Sequence, residues 1–302
     1  MAKNVSPYPL IGKCIYCGAD DLAAGLTDEH VIPKSLGGKH QLREATCVKC
    51  TDITKRIEGY ITGSHLAVFR TAANVFTRHK KNRRTEFPQL LRTDNGLKEV
   101  MLDAKTEHPA PLSLPHFNLP GLLHEKGSAE NWGDVGIGFW IKHEISTPKL
   151  PTGRVPMYHE EKLDFDLLGR VIAKIAHCEA VNFLGIDGFD PYLPDIVLGH
   201  RNDVFNLIGA IEGRYAPLEA DMAWVFAAIR KQNKVLLVYC LRMFANMGFA
   251  NLDKIGPPYF LAVVGELHPD KVNLFPRIFI DTGTLSIELM ATLKKVKPVS
   301  NN

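Results

Sequence analysis

Long hydrophobic runs are scarce in this 302-residue sequence. Val235 to Leu241 has seven residues and Met222 to Ile229 has eight, against the roughly 20 that a membrane-spanning helix needs. The opening stretch MAKNVSPYPLIGKC has no apolar core of the kind a secretory signal carries. A soluble, cytoplasmic chain with no membrane partner is therefore expected. No internal repeat or low-complexity tract is visible, which argues against solenoid and coiled-coil architectures. Hydrophobic residues are 45% and charged residues 23% of the chain, near globular averages, so wholesale disorder is excluded too. The length suggests about two domains.

Cysteine is also sparse, and its placement is uneven. Cys14, Cys17, Cys47 and Cys50 crowd into the first sixth of the chain, leaving only Cys178 and Cys240, which read as core packers. The charge divides the same way. Met1 to Leu90 carries 14 Lys/Arg against 8 Asp/Glu, a balance of +6, which leaves −3 for the rest of a chain whose total is +3. Without a secretory signal, clustered thiols read as metal ligands rather than disulfides. Cys14-x-x-Cys17 and Cys47-x-x-Cys50 are two CxxC turns separated by 29 residues. Each turn aims two sulfurs at one point, and two turns complete a tetrahedral shell for Zn2+ at about 2.3 Å per bond. A closed four-thiolate shell leaves no position for water, so the expected zinc is structural.

Between the pairs lies Leu26-Thr27-Asp28-Glu29-His30-Val31-Ile32-Pro33-Lys34-Ser35-Leu36-Gly37-Gly38. An acid directly before a histidine, then Pro and Gly-Gly, then a second CxxC opening a helix, closely resembles the HNH endonucleases of bacteria and phage. The likeness is to the branch with a zinc knuckle around the catalytic motif, and it covers roughly Cys14 to Arg56. It implies a ββα-metal finger in which a hairpin and a helix hold one divalent ion, Mg2+ or Mn2+, against a DNA phosphodiester. By the same resemblance His30 is the general base and Glu29 the acidic ligand of that ion. An imidazole with an unperturbed pKa of about 6.5 suits a base at neutral pH.

Two positions depart from the family pattern. The residue after the last cysteine, usually Asn or His as a second metal ligand, is Thr51. Asp52 is the neighbouring carboxylate that could take the role, and Glu58 is a more distant one. The family's polar residue between Gly-Gly and the second cysteine pair, which orients the base, is missing from Lys39 to Thr46, where Gln41, His40 or a backbone carbonyl could substitute. Nucleic-acid contact is expected from the basic run, through Arg78, Lys80, Lys81, Arg83 and Arg84. The rival reading is a non-catalytic zinc-knuckle nucleic-acid binder with a degenerate site.

The fold class expected is α+β, in three stretches. Residues 1–86 form the zinc-stabilised ββα-metal module with its basic helix, residues 87–160 a Pro-rich strand and loop region, and residues 161–302 a C-terminal α+β domain. Thr51 is read as the cap of a helix with Ile53, Ile57, Tyr60 and Ile61 on one face. Gly63 and Ser64 are expected to interrupt it before a second helix through Phe76. Asp134 to Lys142 alternates like a strand. Leu168, Val171, Ile172 and Ile175 mark one face of a helix ended by Gly185, which puts His177 at a surface or interface. Lys234 to Phe244, Tyr259 to Val264 and Val272 to Ile280 read as strands. Residues 173–199 and 244–265 also resemble regions that accompany HNH motifs in bacterial proteins of this length, and either a homo-oligomer or a protein partner could engage the C-terminal domain.

Overall fold

The computed structural model describes residues 8–20, 25–75, 83–124, 136–142, 155–157, 164–211, 222–245, 249–250 and 257–280. Strands β1 (Thr27–His30) and β2 (Gln41–Thr46) form an antiparallel hairpin that runs straight into helix α1 (Val48–Tyr60) and α2 (Ala67–Ala72). Strands β3 (Glu86–Thr93), β4 (Gly96–Asp103), β5 (Leu112–His116), β6 (Gly136–Lys142) and β7 (Val155–Met157) precede the long helix α3 (Phe165–Leu184). The remainder is β8 (Phe189–Pro191), α4 (Pro194–Leu198), α5 (Val204–Leu207), β9 (Ile208–Ile211), β10 (Met222–Lys231), β11 (Lys234–Met243), β12 (Phe249–Ala250), β13 (Tyr259–Leu267) and β14 (Ile278–Phe279). The class is α+β.

A six-stranded sheet in the order β14-β10-β11-β13-β8, with β9 also paired to β13, forms the base of the C-terminal half. The expected strand at Val272 to Ile280 is mostly absent. Pro269 opens a 3-10 turn over Pro269–Leu274, and only Ile278 and Phe279 pair, parallel to β10. Pro276, which has no N–H to give a ladder, separates the two pieces. The Pro-rich middle supplies two small sheets, β4-β3-β7 and β12-β6-β5. Among the described residues no helix is long and apolar enough to cross a membrane.

Helix α3 is the element around which the rest is arranged. Every residue from Leu168 to Val181 is buried except the half-buried Arg170. A helix covered all round lies between two layers, and here α1 covers one side and β13 the other. The apolar stripe in the sequence located only one of those faces. His177, expected near the surface, is 1% exposed.

The hairpin has three local causes. Gly37 adopts φ 91°, and a Cβ on Gly38 would stand 2.0 Å from the Ile32 carbonyl oxygen, so the Gly-Gly pair is sterically required. Between Thr27 and Glu29 the register slips, because β2 carries extra residues in a bulge where Glu44 takes φ 48°. The Glu44 N–H freed from the ladder donates to Asp28 Oδ1 at 3.1 Å. Helix α1 starts earlier than expected, with Cys47 at its cap. Gly63 and Ser64 do not break the chain; they form a π turn, in which Leu66 N–H reaches back five residues to Ile61 O at 2.9 Å.

Candidate functional site

The two CxxC turns meet. The four sulfurs of Cys14, Cys17, Cys47 and Cys50 all lie within 4.8 Å of one another, the one group of three or more such ligands among the described residues. Cys17 Sγ and Cys47 Sγ are 3.8 Å apart, the edge of about 3.8 Å that a tetrahedron of 2.3 Å Zn–S bonds requires. The first turn is laid along the bulged strand, with Ile11 and Ile15 N–H donating to Arg43 and Ala45 O at 3.0 and 2.8 Å. Burial pushes the Cys14 thiol up, but the backbone amides of Cys47, Cys17 and Tyr16 bring it down to about 7, toward the thiolate that a metal needs. The donor set and spacing fit a closed structural zinc site.

His30 ends β1, half-buried, opposite Gln41 on β2. Gln41 Nε2 donates to the imidazole, 2.9 Å from Nε2 and 3.3 Å from Nδ1. Gln41 is one of the groups the sequence offered to orient His30. His40, a second of those groups, packs at a tilt against Tyr8 with ring centroids 4.8 Å apart.

With a ββα unit carrying Glu29-His30 on its hairpin and four thiols at its base, the chain can be set beside known families. Residues 14–59 match a family model described as HNH endonuclease. A search of curated proteins returned no match, and a search of solved structures returned none. The likeness to HNH endonucleases therefore rests on residues 14–59 and on the cysteine cluster within them.

The acidic side of the hairpin is built from farther away. Glu29 is 5% exposed and turned inward, where Lys174 Nζ on α3 lies 2.8 Å from its Oε1. The same ammonium lies 2.8 Å from Glu58 Oε1 on α1. It also donates to the His30 carbonyl and, at 3.4 Å, to the Val31 carbonyl. Burial alone would lower the Lys174 pKa, but Glu29, Glu58 and Cys178 more than offset it and hold the group above an ordinary lysine. The charge is therefore permanent at physiological pH.

The other positions sort by their neighbours. Thr51, where the family places Asn or His, is buried, and its hydroxyl bridges Thr27 Oγ1 at 3.0 Å and Thr46 Oγ1 at 3.4 Å. It rivets α1 to both strands. Asp52 is exposed and sits about 120° around the helix from Glu58, so the structure does not bring it to Glu29. Arg83 gives its guanidinium to Thr71 Oγ1 at 3.2 Å, Val75 O at 2.9 Å and Arg70 O. These bonds commit it to the fold rather than to a phosphate. Arg84 is exposed, over the Phe87 ring. Arg78, Lys80 and Lys81 lie outside the described residues.

A divalent ion at Glu29 would need hard oxygen ligands at about 2.0–2.1 Å. With Lys174 between Glu29 and Glu58, and Asp52 turned away, the residues as arranged do not fit Mg2+ or Mn2+. Sequence reasoning missed Lys174 altogether. The signal was a lysine in the middle of an otherwise apolar helix pattern, Val171-Ile172-Ala173-Lys174-Ile175-Ala176, and such a residue is rarely buried unless paired.

Proposed function

We propose that the chain is an HNH-type endonuclease that hydrolyses DNA phosphodiester bonds. The HNH match over residues 14–59, together with His30 held by Gln41 at the edge of the hairpin, is the observation that carries the reading. In this reading the zinc of the four-cysteine cluster holds the hairpin against α1. To take a proton from the attacking water, His30 needs its one acceptor nitrogen released by Gln41 Nε2, which holds the ring in place until then. The basic surface of the first ninety residues, balance +6, attracts the backbone.

A second reading, nucleic-acid binding without cleavage, is favoured by the Lys174 contact with Glu29 and by the Thr51 hydroxyl spent on the hairpin. Supercoiled-plasmid cleavage in excess Mg2+ or Mn2+ separates the two when measured on the protein and on Lys174→Met, which frees Glu29. The nuclease reading expects strand cleavage that drops ~10²–10⁴-fold in His30→Ala, with zinc content unchanged. Plasmid that is bound but left intact by both proteins would establish the binding reading instead.

A further inference from the structure

We propose that Lys174 is the resident cation of the HNH site, a positioning residue through which α3 sets its ammonium between Glu29 and Glu58 and keeps a divalent ion out. The inference rests on the HNH reading for its functional meaning, but its geometry stands alone. Two carboxylate oxygens from different elements, β1 and α1, converge on one nitrogen at 2.8 Å each. Convergence of hard oxygens on a single point is what a divalent cation asks of its ligands. Here the point is filled by a charge that belongs to the chain.

The surroundings make Lys174 hard to displace. The side chain is 0% exposed, so no solvent competes for the ammonium. Its remaining donor capacity goes to the carbonyls of His30, the last residue of β1, and of Val31 just beyond it. Lys174 thus fixes Glu29 and the His30 backbone together. Two carboxylates and one ammonium leave the point at −1, which also disfavours a third negative group. The arrangement makes α3, more than one hundred residues beyond the HNH motif, a working part of that site.

The full-length, zinc-loaded chain is titrated with Mn2+, free ion being followed by electron paramagnetic resonance. Wild type is expected to give the same curve as Glu29→Gln. Lys174→Met is expected to bind at least about 10-fold more tightly than wild type, and adding Glu29→Gln should remove the gain. Lys174→Met leaves two buried carboxylates facing each other and is at risk of misfolding. Lys174→Met with Glu58→Gln keeps the point at −1 and provides the second variant, with a smaller gain in the same direction.

Mn2+ bound by wild type and lost in Glu29→Gln would overturn the proposal. So would folded Lys174 variants that bind no better than wild type. Plasmid cleavage run in parallel keeps the two readings apart. Mn2+ gained without any cleavage supports the proposal and defeats the nuclease reading, whereas wild-type cleavage through Glu29-bound Mn2+ defeats the proposal and supports the nuclease.

Discussion

The four-cysteine cluster and the Glu29–Lys174–Glu58 cluster both adjoin the same ββα unit and are assembled in opposite ways. The first draws all its parts from residues 14–50, four soft thiols of the kind zinc prefers. The second takes its two hard carboxylates from β1 and α1 and its cation from α3. A site made of local parts is self-contained and depends on an ion from solution. A site completed by a distant helix is already neutralised in part, and its state depends on how the two halves of the chain pack.

The largest expected effect tests the local half of that contrast. Cys47→Ser should strip about one zinc per chain, measured by metal analysis, and unfold the hairpin and α1. A four-thiolate site of this type is worth an apparent ~10–16 kcal/mol in zinc-finger peptides, comparable to the stability of a whole domain. A cleanly folded wild type without zinc would remove the cluster from the account.

The packing of α3 onto the knuckle supplies the next effect. His177 Nε2 donates to Ile15 O at 2.8 Å, inside the first CxxC turn, and Tyr16 Oη meets Cys178 Sγ at 3.3 Å. Burial pushes the His177 pKa down to about 4. The unfolded chain accepts a proton on this residue below about 6.5, while the folded chain refuses it until about 4. Stability is therefore intact above the first value and falls as the pH drops toward the second, by up to about 3 kcal/mol. Denaturant melts at pH values either side of this window should show a steeper acid loss for wild type than for His177→Gln. Equal losses would place the acid sensitivity elsewhere.

How much of this was legible follows from the same contrast. The CxxC turns, the Gly-Gly turn and the order of β1, β2 and α1 are encoded by residues close in sequence, where spacing translates directly into geometry. The strands at Lys234–Met243 and Tyr259–Leu267 were readable as apolar runs for the same reason. The burial of His177 and the pairing of Lys174 were not. Helical periodicity located the face of α3 marked by Leu168 and Ile175, but it carries no information on a second layer arriving from the N-terminal segment. Asp52 was chosen because it follows Cys50 and Thr51 in sequence; on the helix, Glu58 rather than Asp52 shares the inner face with Thr51 and Thr54. Arg83 illustrates a related limit, since a basic run does not reveal which member is turned back to bind carbonyls.

The smallest effect concerns that inner face. Thr51→Val keeps the shape but loses the hydroxyl that bridges Thr27 and Thr46, and it should cost about 1–2 kcal/mol in denaturant unfolding. An unchanged stability would mean that α1 is fixed to the hairpin by apolar packing and metal alone.

The claim on which the comparison turns is that an ammonium, not a metal ion, stands between Glu29 and Glu58. A crystal of the zinc-loaded protein soaked in Mn2+, with anomalous data collected near the manganese edge, tests it most directly. The account predicts electron density for the Lys174 side chain ending between the two carboxylates and no anomalous peak there. A manganese peak between Glu29 and Glu58, with Lys174 displaced, would contradict it.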